Sequence, residues 1–127
     1  MTKQYYTTYN IAEPIRKGGE SVIFQLNTPL LDGCVLAVLE QGDAYGYSLT
    51  QHIKREIDIS ESTLYPILRR LQKEGCLEVY DKQFQGRNRR YYAITPTGRE
   101  LLDDCRRSWL DYTDRVGKIL SGGTRDE

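Results

Sequence analysis

The chain has 127 residues, 28% charged and 39% hydrophobic, enough for one domain that buries a core without disulfides or metal. Eighteen Lys and Arg cancel 18 Asp and Glu, which argues against a histone-like coat held to polyanions by bulk charge. Cys34, Cys76 and Cys105 are far apart, and with no CxxC spacing and one histidine they indicate neither a disulfide framework nor a zinc site.

Residues 1–28 stand apart. MTKQYYTTYN is polar and Tyr-rich, RKGGES carries a Gly-Gly break, and SVIFQL is short and apolar before NTP. The expectation is a partly flexible N-terminal arm with a short ordered element, strand or helix left open. LLDGCVLAVLEQG (30–42) then reads as a first helix, with Gly42 as a left-handed terminator. Its Leu30, Leu31, Cys34, Val35, Leu36, Val38 and Leu39 cover most of the circumference, so it must be buried on more than one side. In a chain this small that suggests a partner subunit. Cys34 and Cys105, among apolar neighbours, read as small core residues.

AYGYSLTQHIKREI (44–57) predicts a second helix with Leu49, Ile53 and Ile57 four apart. ESTLYPILRRLQKEG (61–75) predicts a third, capped by Ser60 or Ser62 and ended by Gly75. Two short amphipathic helices around a tight connection form a helix-turn-helix. CLEVY (76–80) and RYYAIT (90–95) read as strands flanking a polar loop, DKQFQGRNRR, that pivots at Gly86. Thr95 caps a closing helix with Pro96 at its first position, running to about Ser121 before Gly122 and Gly123. The fold class is therefore mainly α with a small β-hairpin. It is a winged helix-turn-helix over 29–95, with a C-terminal dimerisation helix over 96–121 and a tail over 122–127.

The third helix carries Pro66, which costs about 3 kcal/mol in a helix interior. With Leu64, Leu68 and Leu71 inward, a helical wheel turns Ser62, Pro66, Arg69 and Lys73 outward, flanked by Thr63, Tyr65 and Arg70. Small hydroxyls near a helix N-terminus can reach phosphates or bases, and a proline or aromatic ring can touch a thymine methyl. Pro66 then shapes a docking surface, its cost limited by lying near the helix start. From Ser62 to Arg99 eight basic residues face only three acidic ones, and Arg87, Asn88, Arg89 and Arg90 crowd the expected wing tip. Like charges there repel unless something anionic neutralises them, so helix and wing together point to nucleic acid. The plainer alternative has Tyr65 and Pro66 packing on a neighbour and the arginines solvated.

YGYSLTQHI, STLYPILRRLQKEG and GRNRRYYAITPTGRELL together resemble the PadR family of bacterial transcriptional regulators. The likeness covers residues 30 to about 120 and matches the compact branch with a short C-terminal helix. It implies a homodimeric repressor on a palindromic double-stranded operator, often sensing a small, frequently aromatic effector. By motif it puts DNA contact on Ser62, Thr63, Tyr65, Pro66 and Arg69 and on the wing from Arg87 to Arg90. It also implies that Tyr45 lies at the DNA backbone. Residues 1–28 have no counterpart in the likeness.

In the closing helix Leu102, Cys105, Trp109, Tyr112, Val116 and Ile119 step by threes and fours, a heptad seam suited to a dimer. Packing on the protein's own first helix is the alternative. Gly33 and Ala37 leave a shallow slot on the first helix, which Trp109 could fill across the dimer or share with a flat ligand. The likeness is close to a drug-sensing PadR subgroup with a tryptophan at this point of the last helix, and an ordinary interface anchor is the alternative. Enzyme readings fail on inventory: His52 lies mid-helix on an exposed stretch, and no phosphate loop, carboxylate pair or metal spacing occurs. No cofactor or catalytic residue is expected. With no signal peptide or membrane-length apolar run, the chain reads as cytoplasmic. The rival function is a winged-helix module for protein contact in a larger assembly, without specific DNA binding; it would show apolar residues on the third helix's outer face.

Overall fold

The computed structural model describes Arg16–Lys17, Glu20–Ser21 and residues 26–123. Arg16–Lys17 (β1) and Glu20–Ser21 (β2) pair antiparallel. The rest of the expected arm, including SVIFQL apart from Ser21 and Leu26, lies outside the described residues.

Helix α1 spans Thr28–Glu40. It begins ahead of the expected boundary because the Asn27 side chain accepts from the Leu30 amide at 3.1 Å, with Pro29 in the first turn. Gly42 has φ +154°, outside the left-handed helical well, so the terminator expected there is not of that kind. Ala44–Tyr45 forms a short strand, β3, where the sequence reading began a helix; α2 follows as Gly46–Glu56. Helix α3 spans Glu61–Lys73, and Ser60 rather than Ser62 is its N-cap, accepting from the Thr63 amide at 3.3 Å. Its end is a Schellman motif: Gly75 sits at φ +81°, the Cys76 amide donates to the Leu71 carbonyl at 2.8 Å and the Gly75 amide to Gln72 at 3.0 Å.

The wing is longer than its sequence suggests. Strands β4 (Leu77–Phe84) and β5 (Arg87–Ile94) pair from Leu77 opposite Ile94 out to Phe84 opposite Arg87. The expected polar loop is thus mostly strand, and only Gln85 and Gly86 turn, at φ +52° and +78°, the signs a type I′ hairpin requires. Strand β3 pairs with the other edge of β5, giving a three-stranded antiparallel sheet in the order β3-β5-β4. Val35, Leu36 and Leu39 of α1, Leu49 and Ile53 of α2, and Leu64, Leu68 and Leu71 of α3 form the core against Leu77 and Tyr92 of the sheet.

Helix α4 spans Pro96–Leu120. Thr95 latches its start: the hydroxyl donates to the Gly75 carbonyl at 2.6 Å and accepts from the Gly98 amide at 3.0 Å. A Cβ on Gly98 would collide with the Cys76 carbonyl and come within 2.9 Å of Ile94, so the Thr-x-x-Gly motif is the close approach of α4 to the end of α3. Further along, Arg106 pairs with Glu40 at 2.9 Å and Cys105 lies over Gly33 of α1. The whole is a winged helix-turn-helix with a long closing helix. Among the described residues no helix is long and apolar enough to cross a membrane.

The seam on α4 divides. Leu102 is buried in the chain's own core and Cys105 fills the slot at Gly33, so the packing onto helix α1 weighed against a dimer is what these two residues do. Beyond them Tyr112 is 62% and Ile119 78% exposed. Cys34 and Cys105 are half-buried rather than core residues.

Candidate nucleic-acid interface

The outward face of α3 carries Ser62, Thr63, Pro66, Arg69 and Lys73, all exposed, while Tyr65 is half-buried against the core. At the helix start the Ser60 hydroxyl lies 2.9 Å from that of Ser62 and 3.0 Å from that of Thr63, a hydroxyl cluster at the positive end of the helix dipole. Pro66 has no N–H for the Ser62 carbonyl one turn back. Both residues are exposed.

Arg69 and Arg70, neighbours in sequence, part company. Arg70 turns back to α1, its guanidinium 2.5 Å from Asp32 and 3.4 Å from Glu74. The Asp32 hydrogen bond raises the Arg70 pKa, and Asp32 itself is buried. The expectation that Arg70 joins the outer face is corrected: its charge is held by the protein.

The wing residues expected at the tip also divide. They lie within β5, and alternation along the strand sends Asn88 and Arg90 to the side that carries Tyr92 and α3. Burial raises the pKa of the Tyr92 phenol, while Arg90 and Arg69 pull it down and Tyr65 adds to the rise. Arg90 is also 3.8 Å from Asp81, its partner across the ladder, in an exposed pair. Arg87 and Arg89 occupy the opposite face with Tyr80, Tyr91, Phe84 and Tyr45. There the Arg89 guanidinium lies 4.2 Å from the Phe84 ring centre and 4.5 Å from that of Tyr45. Tyr80 and Tyr91 stack at 5.6 Å, and the Tyr80 hydroxyl donates to Asp43 at 2.7 Å, which pushes its pKa up. Tyr45 precedes α2 without capping it through its side chain. Gly46 beside it lets the chain pass Tyr92, where a Cβ would sit 3.1 Å from the ring.

Away from this surface, a cavity of about 400 Å³ opens between α1 and α4. Gly33, Ala37 and Trp109, grouped in the sequence reading, all line it, together with Leu26, Leu30, Cys34, Ile57, Leu102, Cys105 and Arg106. Trp109 reaches it within its own chain, where the expectation had it facing the slot across a dimer. Burial pushes both thiols up, Cys34 and Cys105 alike. His52 is half-buried rather than exposed.

Phe84, Asp32 and Leu26 went unassigned in the sequence, and Ile57 was placed only on the apolar side of the second helix. Asp32, an acid inside an otherwise apolar helix, was the one carrying a signal there. Phe84 acquires meaning only through register, and the place of Ile57 in the cavity wall only through packing.

The chain is similar in sequence and fold to known proteins. The sequence model of the transcriptional regulator PadR-like family matches residues 35–104. The crystal structure of smu.1704 from Streptococcus mutans is 36% identical with a TM-score of 0.76, covering 84% of this chain and all of the other. A PadR-like transcriptional regulator from Bacillus cereus is 35% identical with a TM-score of 0.68, covering 73% and 93%. The transcriptional regulator Rv3488 of Mycobacterium tuberculosis is 40% identical over 75 residues, 58% of this chain and 70% of that protein.

Proposed function

The chain belongs to the PadR-like family of transcriptional regulators, and from that premise we propose that it is a cytoplasmic, homodimeric repressor of a palindromic operator. Helix α3 enters the major groove with Ser62, Thr63, Tyr65, Pro66 and Arg69, and the wing approaches the backbone with Arg87, Asn88, Arg89 and Arg90, Tyr45 beside them. The observation that carries this reading is the exposed hydroxyl cluster at the start of α3, on the helix whose outward face also carries Arg69 and Lys73. A protein-docking module would expose apolar side chains on α3. Among the described residues the exposed large apolar side chains sit elsewhere: Tyr47 at the start of α2, Tyr80 and Phe84 on the wing, and Leu110, Tyr112, Ile119 and Leu120 on the far half of α4.

That far half, with Tyr112 and Ile119 exposed and Val116 half-buried between them, supports the dimer, since a second copy covers apolar surface the monomer leaves open. The α1–α4 cavity borders the same helix and has the size of a small-molecule site. A flat apolar effector seated against Trp109 releases DNA if it favours a dimer geometry whose recognition helices no longer match the operator. The test is a mobility shift on the promoter of the chain's own gene at two salt concentrations. Specific retention at both supports the reading; binding no tighter than to random duplex refutes it.

A further inference from the structure

The wing projects beyond its own sheet. Strand β3 pairs only with Tyr91 and Tyr92, so from Arg90 outward β4 and β5 form a two-stranded ribbon. Every residue from Tyr80 to Asn88 is exposed. A two-stranded ribbon in water is marginally stable by itself. This one also sets Lys82 directly opposite Arg89, a like-charge pair that weakens a ladder. Something else must hold it in place if it is to meet a duplex at a set angle to α3.

We propose that Arg89 is that brace: a positioning residue which, stacked between Phe84 at the tip and Tyr45 at the entrance to α2, locks the wing to the helix-turn-helix before DNA arrives. Arg89 is half-buried in a run of exposed neighbours, and its guanidinium lies within 4.5 Å of both ring centres. Phe84 belongs to the last ladder pair before the turn, and Tyr45 is the residue from which α2 starts. One side chain thus spans from the free end of the ribbon to the fixed body. The chemistry requires arginine, because a planar guanidinium can lie flat against two rings, whereas the ammonium of a lysine is a hydrated point charge on a flexible stem. Phe84 gains a role here that the DNA reading does not give it. The inference rests on that reading for its consequence, though not for the brace itself.

The test uses the full chain with Arg89→Lys, Phe84→Leu and Arg89→Ala. Amide hydrogen exchange across 81–90 is measured without DNA, and affinity for the promoter duplex of the chain's own gene over a salt series. The expected result is faster wing exchange in all three variants, with exchange in the buried helices unchanged. Affinity falls several-fold in Arg89→Lys and Phe84→Leu at an unaltered salt slope, because no charge is lost. Unchanged wing exchange in Arg89→Lys and Phe84→Leu overturns the brace. So does wild-type affinity in Arg89→Lys beside a slope shallower by about 0.9 in Arg89→Ala, the mark of a plain phosphate contact. Faster exchange at full affinity overturns the positioning role. If the wild type ignores the duplex, the regulatory reading fails while the exchange data still decide the brace.

Discussion

Two adjacent arginines on one helix should give opposite phenotypes when each is replaced by alanine. Arg70 is paired with Asp32 at 2.5 Å, with side-chain exposures of 37% and 12%. Breaking a fully buried pair costs about 3–5 kcal/mol, and an exposed pair is worth about 0–1. With one partner buried and the other over a third exposed, Arg70→Ala should cost about 1–3 kcal/mol. For a domain of this size that lowers the melting temperature by roughly 4–12 °C. The second pair, to Glu74 at 3.4 Å, is exposed and adds only a few tenths. Replacing Asp32 by Asn in the Arg70→Ala background should restore part of the loss, because the cost lies in a carboxylate left without its counter-charge. Arg69 is exposed, and its truncation should move stability by no more than about 0.5 kcal/mol. It should weaken specific DNA binding by about 1–3 kcal/mol, some 5- to 150-fold, if it reads a base. Thermal melting and fluorescence anisotropy with promoter duplex separate the two. An Arg70→Ala protein that melts like wild type, or a folded Arg69→Ala protein with full specific affinity, would falsify the division of labour.

Arg87→Ala should weaken binding to every duplex and reduce the log-affinity against log-salt slope by about 0.9, as one released phosphate contact does; titration at four salt concentrations checks it. Trp109→Ala should remove about 0.5–1.5 kcal/mol of stacking from any flat aromatic compound held in the α1–α4 cavity. Calorimetry on both proteins measures that loss, and Trp109 emission in the wild type reports occupancy. Gly98→Ala drives a methyl into the Cys76 carbonyl and towards Ile94, and backbone cannot swing aside as a side chain can. A loss of about 1–3 kcal/mol is expected in chemical denaturation.

Much of the fold was legible in the chain because its determinants are local. Leucines at 64, 68 and 71 set the buried face of α3, and all three are buried. The Thr95-Pro96 pair marks the start of α4, since capping needs only a hydroxyl and a fixed φ within one turn. Gly75 closes α3 in a left-handed conformation that favours glycine. What tertiary structure decided involves partners distant in sequence. A helical wheel treats Arg69 and Arg70 as neighbours, and only the arrival of Asp32, 38 residues earlier, ties the Arg70 guanidinium to the protein. The polar run 81–90 looks like a loop by composition, yet once a type I′ turn sets the register its residues alternate between faces and the wing cations separate. The α4 seam is continuous in sequence but is cut by where α1 stops covering it: Gly33 admits Cys105, while Tyr112 and Ile119 are left open. Periodicity says which side chains share a face, and only packing says what that face meets.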